Sequence, residues 1–392
     1  MIHLKKSKIA TQTIFLVCGI SLAAWAPMVP LVKDRLRLND SEMGILLLFL
    51  GAGAIVIMPI SGWLIPRVGS RKVVMFSAIL STVVLGCLLQ VESRWLMALC
   101  LFLFGTGLGA MDVSMNSHGL LVQQLYQKPI MSSLHGQYSV GGIIGPLLII
   151  GLTSLGISPA VCLLAVSILL MLTVLIQFRH LLDRDQEKDG SGQSSKPEQD
   201  NPKGERAWKN SAVWFLGTMC FIVFLAEGAM LDWSAIFLRD YKGTAESLAG
   251  LGYAAFSVAM AVMRLLGDRL VARIPGDKLV IAGSLLAAVG LLIAVFTPWL
   301  VTVLLGFILV GLGAANIVPI FFSESGRVAG VTATAALAAV STMGYTGQLI
   351  GPALLGFIAE HTTLSVALIF TAVLLIAVAV SYLVRNRVSI RR

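Results

Sequence analysis

Apolar positions along this chain neither alternate nor stripe one helix face. They run on for about 20 residues at a time, break at short polar or glycine-rich stretches, and start again. Coiled as an α-helix at about 1.5 Å per residue, such a run crosses the ~30 Å hydrocarbon layer of a bilayer. Twelve spans are expected, over residues 9–32, 43–65, 73–91, 95–125, 131–155 and 159–179, then 211–238, 246–271, 278–296, 299–323, 331–359 and 363–385. One long stretch breaks the pattern. Arg179 to Lys209 has no apolar period and is filled with Gly, Ser, Pro, Gln and charge. It cannot bury enough surface to fold alone and reads as a flexible linker. The expected organisation is therefore a six-helix bundle over 1–178, a cytoplasmic linker over 179–210, and a second six-helix bundle over 211–392.

The two halves repeat at a spacing near 206. Asp34 falls on Asp240, Ser41 on Ser247, Gly44 on Gly250, and Gly145-Pro146 on Gly351-Pro352. Gly107-Leu108-Gly109-Ala110 falls on Gly311-Leu312-Gly313-Ala314 at a slightly shorter spacing, which would set Asn316 on Asp112. Several such pairs in register predict an all-α membrane protein of two pseudo-symmetric six-helix bundles. Polytopic proteins of this design hold solute near the bilayer midplane, between the repeats.

Composition agrees. Hydrophobic residues make up 57% of the chain and charged ones 12%, too few charges to coat a soluble core of this size. The net charge of +9 would suit a nucleic-acid binder, but its distribution points elsewhere. With the termini and linker in the cytoplasm, all but six of the 29 Lys and Arg lie on that side, the six being Lys33, Arg35, Arg37, Arg94, Arg239 and Lys242. No nucleic-acid partner is expected. The basic start MIHLKKSKIA resembles a signal peptide, but the apolar run behind it is too long, and it reads as a retained first helix. Cys18, Cys87, Cys100, Cys162 and Cys220 all lie in apolar runs without metal spacing, so neither disulfides, metal nor cofactor are expected.

The loop after the second span, Gly62-Trp63-Leu64-Ile65-Pro66-Arg67-Val68-Gly69-Ser70-Arg71-Lys72, resembles the GxLxDRxGRK signature of the major facilitator superfamily, with Pro66 in place of its acidic residue. Its second-half counterpart, Gly267-Asp268-Arg269-Leu270 through Arg273 to Gly276-Asp277-Lys278, keeps an acidic residue. Gly107 through Asp112 to Asn116 looks like the fourth span of fucose permease-type sugar–proton symporters. Met131 through His135-Gly136 to Tyr138-Ser139, and Ala226-Glu227-Gly228 with Asp232-Trp233, are similar to the YbjJ/MosC-like branch. That resemblance implies a bacterial inner-membrane transporter and favours small polyols, because MosC-like proteins are associated with an inositol-derived compound.

Two carboxylates sit deep in apolar runs. Asp112 lies mid-helix, where a charge is tolerated only against a cavity or a partner. It is the first candidate proton carrier, with helix-to-helix packing glue as the plainer role. Asn116, one turn on, shares its face and offers donors and acceptors to a hydroxylated substrate. Glu227 is the second candidate. Asp232 is five residues on and off that face in a regular helix, although Gly228 would permit a break; it suits an outer gate. Trp25 and Trp233 could stack on a sugar ring or sit at the interface. His135, Tyr138, Ser139 and Gly142 form one stripe, and Ser341, Tyr345 and Gln348 the matching one. His135 could relay protons or cap its helix. Tyr138, Asn316, Tyr345 and Gln348 join the substrate candidates, and Arg67, Arg71, His135 and Glu324 the gating ones, Glu324 being expected to pair with Arg327.

These features predict alternating-access, proton-coupled symport of a small polar solute such as a sugar or polyol. Expected partners are that solute, protons and the lipid bilayer, and a monomer suffices. A proton-driven exporter of drugs or metabolites is the alternative; the fourth span lacks the Arg and Gly145-Pro146 lacks the following glycines usual in such antiporters. A membrane sensor without transport is a third class, and solute flux separates it from the other two. The glycine-rich stretches lie in apolar helices with no GK[ST], so they are not phosphate loops, and no nucleophile–base set predicts an enzyme.

Overall fold

A computed structural model describes residues 2–38, 40–184, 207–244 and 251–390. The middle of the expected linker, the start of the eighth expected span, and the repeat positions Ser247 and Gly250 lie outside the described residues.

Among the described residues twelve helical passes follow one another. They are α1 (Ile2–Trp25), α2 (Asp40–Val68), α3 (Ser70–Cys87), α4 (Arg94–Tyr126), α5 (Met131–Ser154), α6 (Pro159–Phe178), α7 (Ser211–Ile236), α8 (Leu251–Val271), α9 (Gly276–Phe296), α10 in two pieces (Leu300–Ala314 and Ile317–Ser325), α11 (Ala333–His361) and α12 (Leu364–Ile390). Ten are long and apolar enough to cross a membrane by length and composition. The two others are α8, which carries Arg264, Asp268 and Arg269, and α11, which is rich in Ala, Gly, Ser and Thr. Trp95 and Trp299, 85% and 68% exposed, open α4 and α10 in the manner of interfacial anchors.

Proline and glycine set the local departures. Pro27 and Pro30 remove two N–H donors just past Trp25, and α1 passes there into a 3₁₀ turn and a short helix, Val29–Arg35. Gly69 adopts a left-handed φ of 90° and makes the tight turn between α2 and α3. Gly228 makes no break: α7 runs on to Ile236, and the irregularity comes later, as a π-helical turn over Phe237–Tyr241.

The contacts gather into two compact units. The first comprises Met1–Lys128, Gln137–Trp208 and Ala329–Ala339, and the second Pro129–Gly136, Lys209–Val328 and Val340–Arg392. In the first, α4 packs on α2, α3 and α1, and α3 on α6; in the second, α10 packs on α8 and α9, and α9 on α12. Close packing is by glycine, as expected where lipid supplies no hydrophobic drive between helices. Gly141 faces the Leu16 carbonyl of α1, and Gly347 faces the Phe221 carbonyl of α7. Gly105 meets Leu50 and Gly107 meets Ser81, while Gly311 meets Phe256 and Gly313 meets Ala287. Gly105 with Leu50 and Gly107 with Ser81 recur 206 residues later as Gly311 with Phe256 and Gly313 with Ala287, while Gly141 recurs as Gly347 and its contact Leu16 as Phe221, 205 residues on. The packing register therefore sets Gly105 on Gly311, not Gly107 on Gly311. Asp112 then corresponds to Val318, and Asn316 to Ala110, correcting the alignment drawn from the GLGA motif.

Candidate functional site

In the first unit the polar centre is one turn of α4. Asp112 is 5% exposed and Asn116 fully buried. The Asn116 amide donates to the Asp112 backbone oxygen (2.9 Å) and to its carboxylate Oδ1 (3.1 Å). This is the i, i+4 geometry the spacing predicts, and it engages the Asn116 amide on its own helix beside the Asp112 carboxyl. Across from it, α1 brings Cys18 within electrostatic range of Asp112. Further along α1, the Ser21 hydroxyl and the Trp25 indole N–H are buried without a hydrogen-bond partner among the described residues. Two such donors cost energy unless water or a ligand meets them. Trp25 is 3% exposed, a buried ring and not an interfacial one. Tyr138 is half-buried on α5, where its carbonyl faces Gly19 of α1.

The second unit has a different centre. Glu227 on α7 pairs with Arg264 on α8: Arg264 Nη2 lies 3.1 Å from Oε1 and 3.3 Å from Oε2, with side chains 13% and 8% exposed. Arg264 Nε also donates to the Ala315 carbonyl at 3.2 Å. The sequence explains that carbonyl. In a regular helix it would accept the N–H of residue 319, but residue 319 is proline and has none. The chain breaks between the two pieces of α10 at Ala315 and Asn316, and the guanidinium takes the orphaned acceptor. Tyr253 lies within electrostatic range of Glu227, Arg264 and Asp232, and His135 within range of Arg264.

The other candidates spread around this centre. Gln348 lies against Gly228, the residue after Glu227, and Tyr345 stacks on Phe224 with ring centroids 5.2 Å apart. Asn316 is 7% exposed at the α10 break, where its Oδ1 faces Gly267 without a hydrogen bond. Asp232 is exposed on α7, off the Glu227 side, as a regular helix requires. Trp233 packs on Gly356, its N–H unpartnered among the described residues. His135 is buried at the start of α5 with its ring 5.6 Å from that of Phe322, a packed position and not a solvated cap.

At the helix ends, Arg67 lies over the Trp63 ring at 3.7 Å and donates to its carbonyl, and Arg71 lies over Phe178 at 4.2 Å. The acidic residue retained in the second-half loop, Asp268, accepts the Ser133 N–H at the start of α5 (3.0 Å), where a helix dipole favours a negative charge. Glu324 does not pair with Arg327. The Arg327 backbone closes the helix-end turn on the Glu324 carbonyl, and the carboxylate instead meets Arg385 of α12 at 2.9 Å and the Tyr382 hydroxyl at 3.2 Å. Outside the spans, Lys242 donates to the carbonyls of Val295 and Thr297 at the end of α9, and partial burial lowers its pKa.

Two residues carry little signal in the sequence. Arg264 falls by its place near a span end among the expected cytoplasmic cations, yet it is 6% exposed inside the helices. Its one signal is Pro319, four residues after Ala315, which leaves that carbonyl in need of a donor from elsewhere. His118 is fully buried on α4, with Nδ1 2.7 Å from the Ser70 hydroxyl and Nε2 accepting the Leu182 N–H at 3.2 Å. It ties the start of the linker segment to α3 and α4. Among the described residues no cluster of His, Cys, Asp and Glu could hold a metal, and none of the five cysteines is in a disulfide.

Comparison with known proteins gives this arrangement its setting. The Major Facilitator Superfamily model matches residues 13–323 and 233–392. An uncharacterized MFS-type transporter of Yersinia pestis is 39% identical over 95% of this chain and 94% of its own. The membrane protein MosC of Rhizobium meliloti is 33% identical over 91% and 84%. Among solved structures, the E. coli fucose:proton symporter FucP shares the fold at TM-score 0.72 and 16% identity, over 96% of this chain and 98% of that one. The twelve helical passes, the glycine-packed repeats and these relatives agree: the chain is a multi-pass membrane transporter that belongs to the major facilitator superfamily.

Proposed function

We propose that the protein is a proton-coupled symporter of a small polar solute, a sugar, polyol or related compound, that works by alternating access of two six-helix domains, 1–178 and 211–392, joined by a linker over 179–210. The observation that supports this best is Asp112, a carboxylate 5% exposed in the middle of an apolar helix and hydrogen-bonded by the Asn116 amide. In such surroundings the charged form is costly, so the group suits cyclic proton uptake and release. Asp112 takes a proton from the outer side, solute binds, and deprotonation toward the inner side accompanies release. Trp25 and Tyr138 in the first half and Trp233 and Tyr345 in the second supply rings, Gln348 supplies an amide, and Ser21, Trp25, Trp233 and Asn316 supply polar atoms without a partner among the described residues, all suited to hydroxylated solutes. Arg67, Arg71, Asp232, His135 and Glu324 act at the helix ends as gating residues, and Glu227 is a second proton site. The skewed Lys and Arg distribution supports a bacterial inner-membrane location with both termini cytoplasmic. Two internal repeats make a monomer sufficient.

Proteoliposome uptake of sugars and cyclitols under an inward proton gradient tests this reading. Asp112→Asn is expected to keep solute exchange and to lose gradient-driven accumulation. Full accumulation by that variant would sink the coupling role.

A further inference from the structure

Glu227 and Arg264 form a charge pair inside the second unit, and three features of it stand out. First, its net charge is zero. Adding a proton to Glu227 alone would strand a buried cation, and adding an anion alone would leave a surplus negative charge; both are strongly disfavoured away from water. Adding both together restores neutrality. Proton uptake at Glu227 and anion binding at Arg264 therefore favour each other, and the coupling is reciprocal.

Second, the guanidinium is anchored independently of Glu227. Its Nε is held by the Ala315 carbonyl that Pro319 leaves vacant, so the head group stays in place when the carboxylate is protonated. Third, both Glu227 oxygens face a single nitrogen, Nη2, at 3.1 and 3.3 Å, and not the two-nitrogen fork that makes the tightest Arg–carboxylate pairs. An incoming carboxylate can displace a partner held this way.

We propose that Arg264 is the receptor for an acidic group on the solute, released for that task when Glu227 takes up a proton, so that the solute is a polyhydroxylated carboxylate and not a neutral sugar. The hydroxyl-binding part lies in the same unit. Among the described residues no partner meets the Trp233 N–H on α7, the Ser341 hydroxyl on α11, or the Asn316 Oδ1 next to the Arg264 anchor at Ala315. The other titratable groups described around the pair include Tyr253 on α8, Asp268 one turn after Arg264 on α8 and held by the Ser133 N–H, His135 at the start of α5, Asp232 further along α7 and Tyr345 on α11. Glu324 on α10 and Tyr382 on α12 are engaged with each other and Arg385. His135 lies within electrostatic range of Arg264, buried with its ring against Phe322. The inference deepens the proton-coupled reading and rests on it.

The test is binding to the purified full-length protein, without any gradient, using gluconate, galacturonate and lactate against xylose and myo-inositol at matched ionic strength. Glu227→Gln mimics the protonated carboxyl and should bind gluconate or galacturonate at pH 7.5 at least about ten-fold more tightly than the unaltered protein. The unaltered protein should tighten by up to about ten-fold per unit as pH falls, one proton per anion. Adding Arg264→Gln to Glu227→Gln should abolish the gain. No carboxylate binding by Glu227→Gln and no pH dependence in the unaltered protein would overturn the proposal, as would equal gluconate affinity in the double variant. If Glu227→Gln fails to fold, the pH series on the unaltered protein decides alone. Gradient-driven uptake of neutral sugars without carboxylate binding overturns this inference and leaves symport standing; carboxylate binding without flux does the reverse.

Discussion

The two halves pack by the same rules and carry their charges by different ones. Gly105 and Gly311, and Gly107 and Gly313, meet residues 206 apart, and Gly141 and Gly347 meet the Leu16 and Phe221 carbonyls, 205 apart. At the polar centres the correspondence fails. Asp112 falls on Val318 and Arg264 on Met58, and Glu227, on the register that sets Leu16 on Phe221, falls on Leu22. The first half holds a carboxyl hydrogen-bonded within its own helix, and the second a carboxylate neutralised by a cation from the next helix, with that cation in turn capping a proline break. Shared packing with divergent centres means that architecture is repeated for helix approach, while chemistry is placed independently in each half.

Variants that separate packing from charge sharpen this contrast. The largest effect should come from Arg264→Ala, which leaves Glu227 without its cation and the Ala315 carbonyl without a donor. Loss of one partner of a buried pair costs about 3–5 kcal/mol, read as a fall in thermal stability in detergent. The double variant Glu227→Gln/Arg264→Gln should recover much of it, and failure to recover would show that the two side chains do not act as a pair.

Substitution at the matched glycines comes next. Gly141→Val and Gly347→Val should each destabilise by about 1–3 kcal/mol through overpacking against α1 and α7, and by similar amounts. A large difference between them would break the claim that the halves pack alike.

His118→Ala should cost about 1–3 kcal/mol by leaving the Leu182 N–H unmet, with faster hydrogen exchange at Leu182. Unchanged exchange there would remove the tie between the linker segment and α4. The smallest effect is expected for Asp112→Asn, which is neutral and nearly isosteric. Stability should shift by less than about 1 kcal/mol while gradient-driven accumulation is lost. A large loss of stability would recast Asp112 as a packing residue.

These differences also explain what could be read from the chain. The spans were legible because hydrocarbon thickness fixes helix length, and the Asp112–Asn116 contact because it lies one turn away on the same helix. The repeat was legible, but its register slipped by two residues at the GLGA motif, where Gly105 and Gly107 alone show which backbone each glycine meets. Contacts between distant segments were not legible. Arg264 and Ala315 are 51 residues apart, and Glu324 and Arg385 61. A basic residue near a span end looks the same in sequence whether it faces water or a buried carboxylate. Pro319 hinted that a carbonyl was vacant, though not which side chain fills it.

The central claim is that solute and proton move together through a buried carboxyl, and the direct measurement is proton entry into proteoliposomes. A pH-sensitive dye inside the vesicles would follow the addition of xylose, fucose, myo-inositol or gluconate to protein with and without Asp112→Asn. The account predicts internal acidification with at least one of these solutes, absent in the variant. Solute entry without acidification, or equal acidification by the variant, would contradict it.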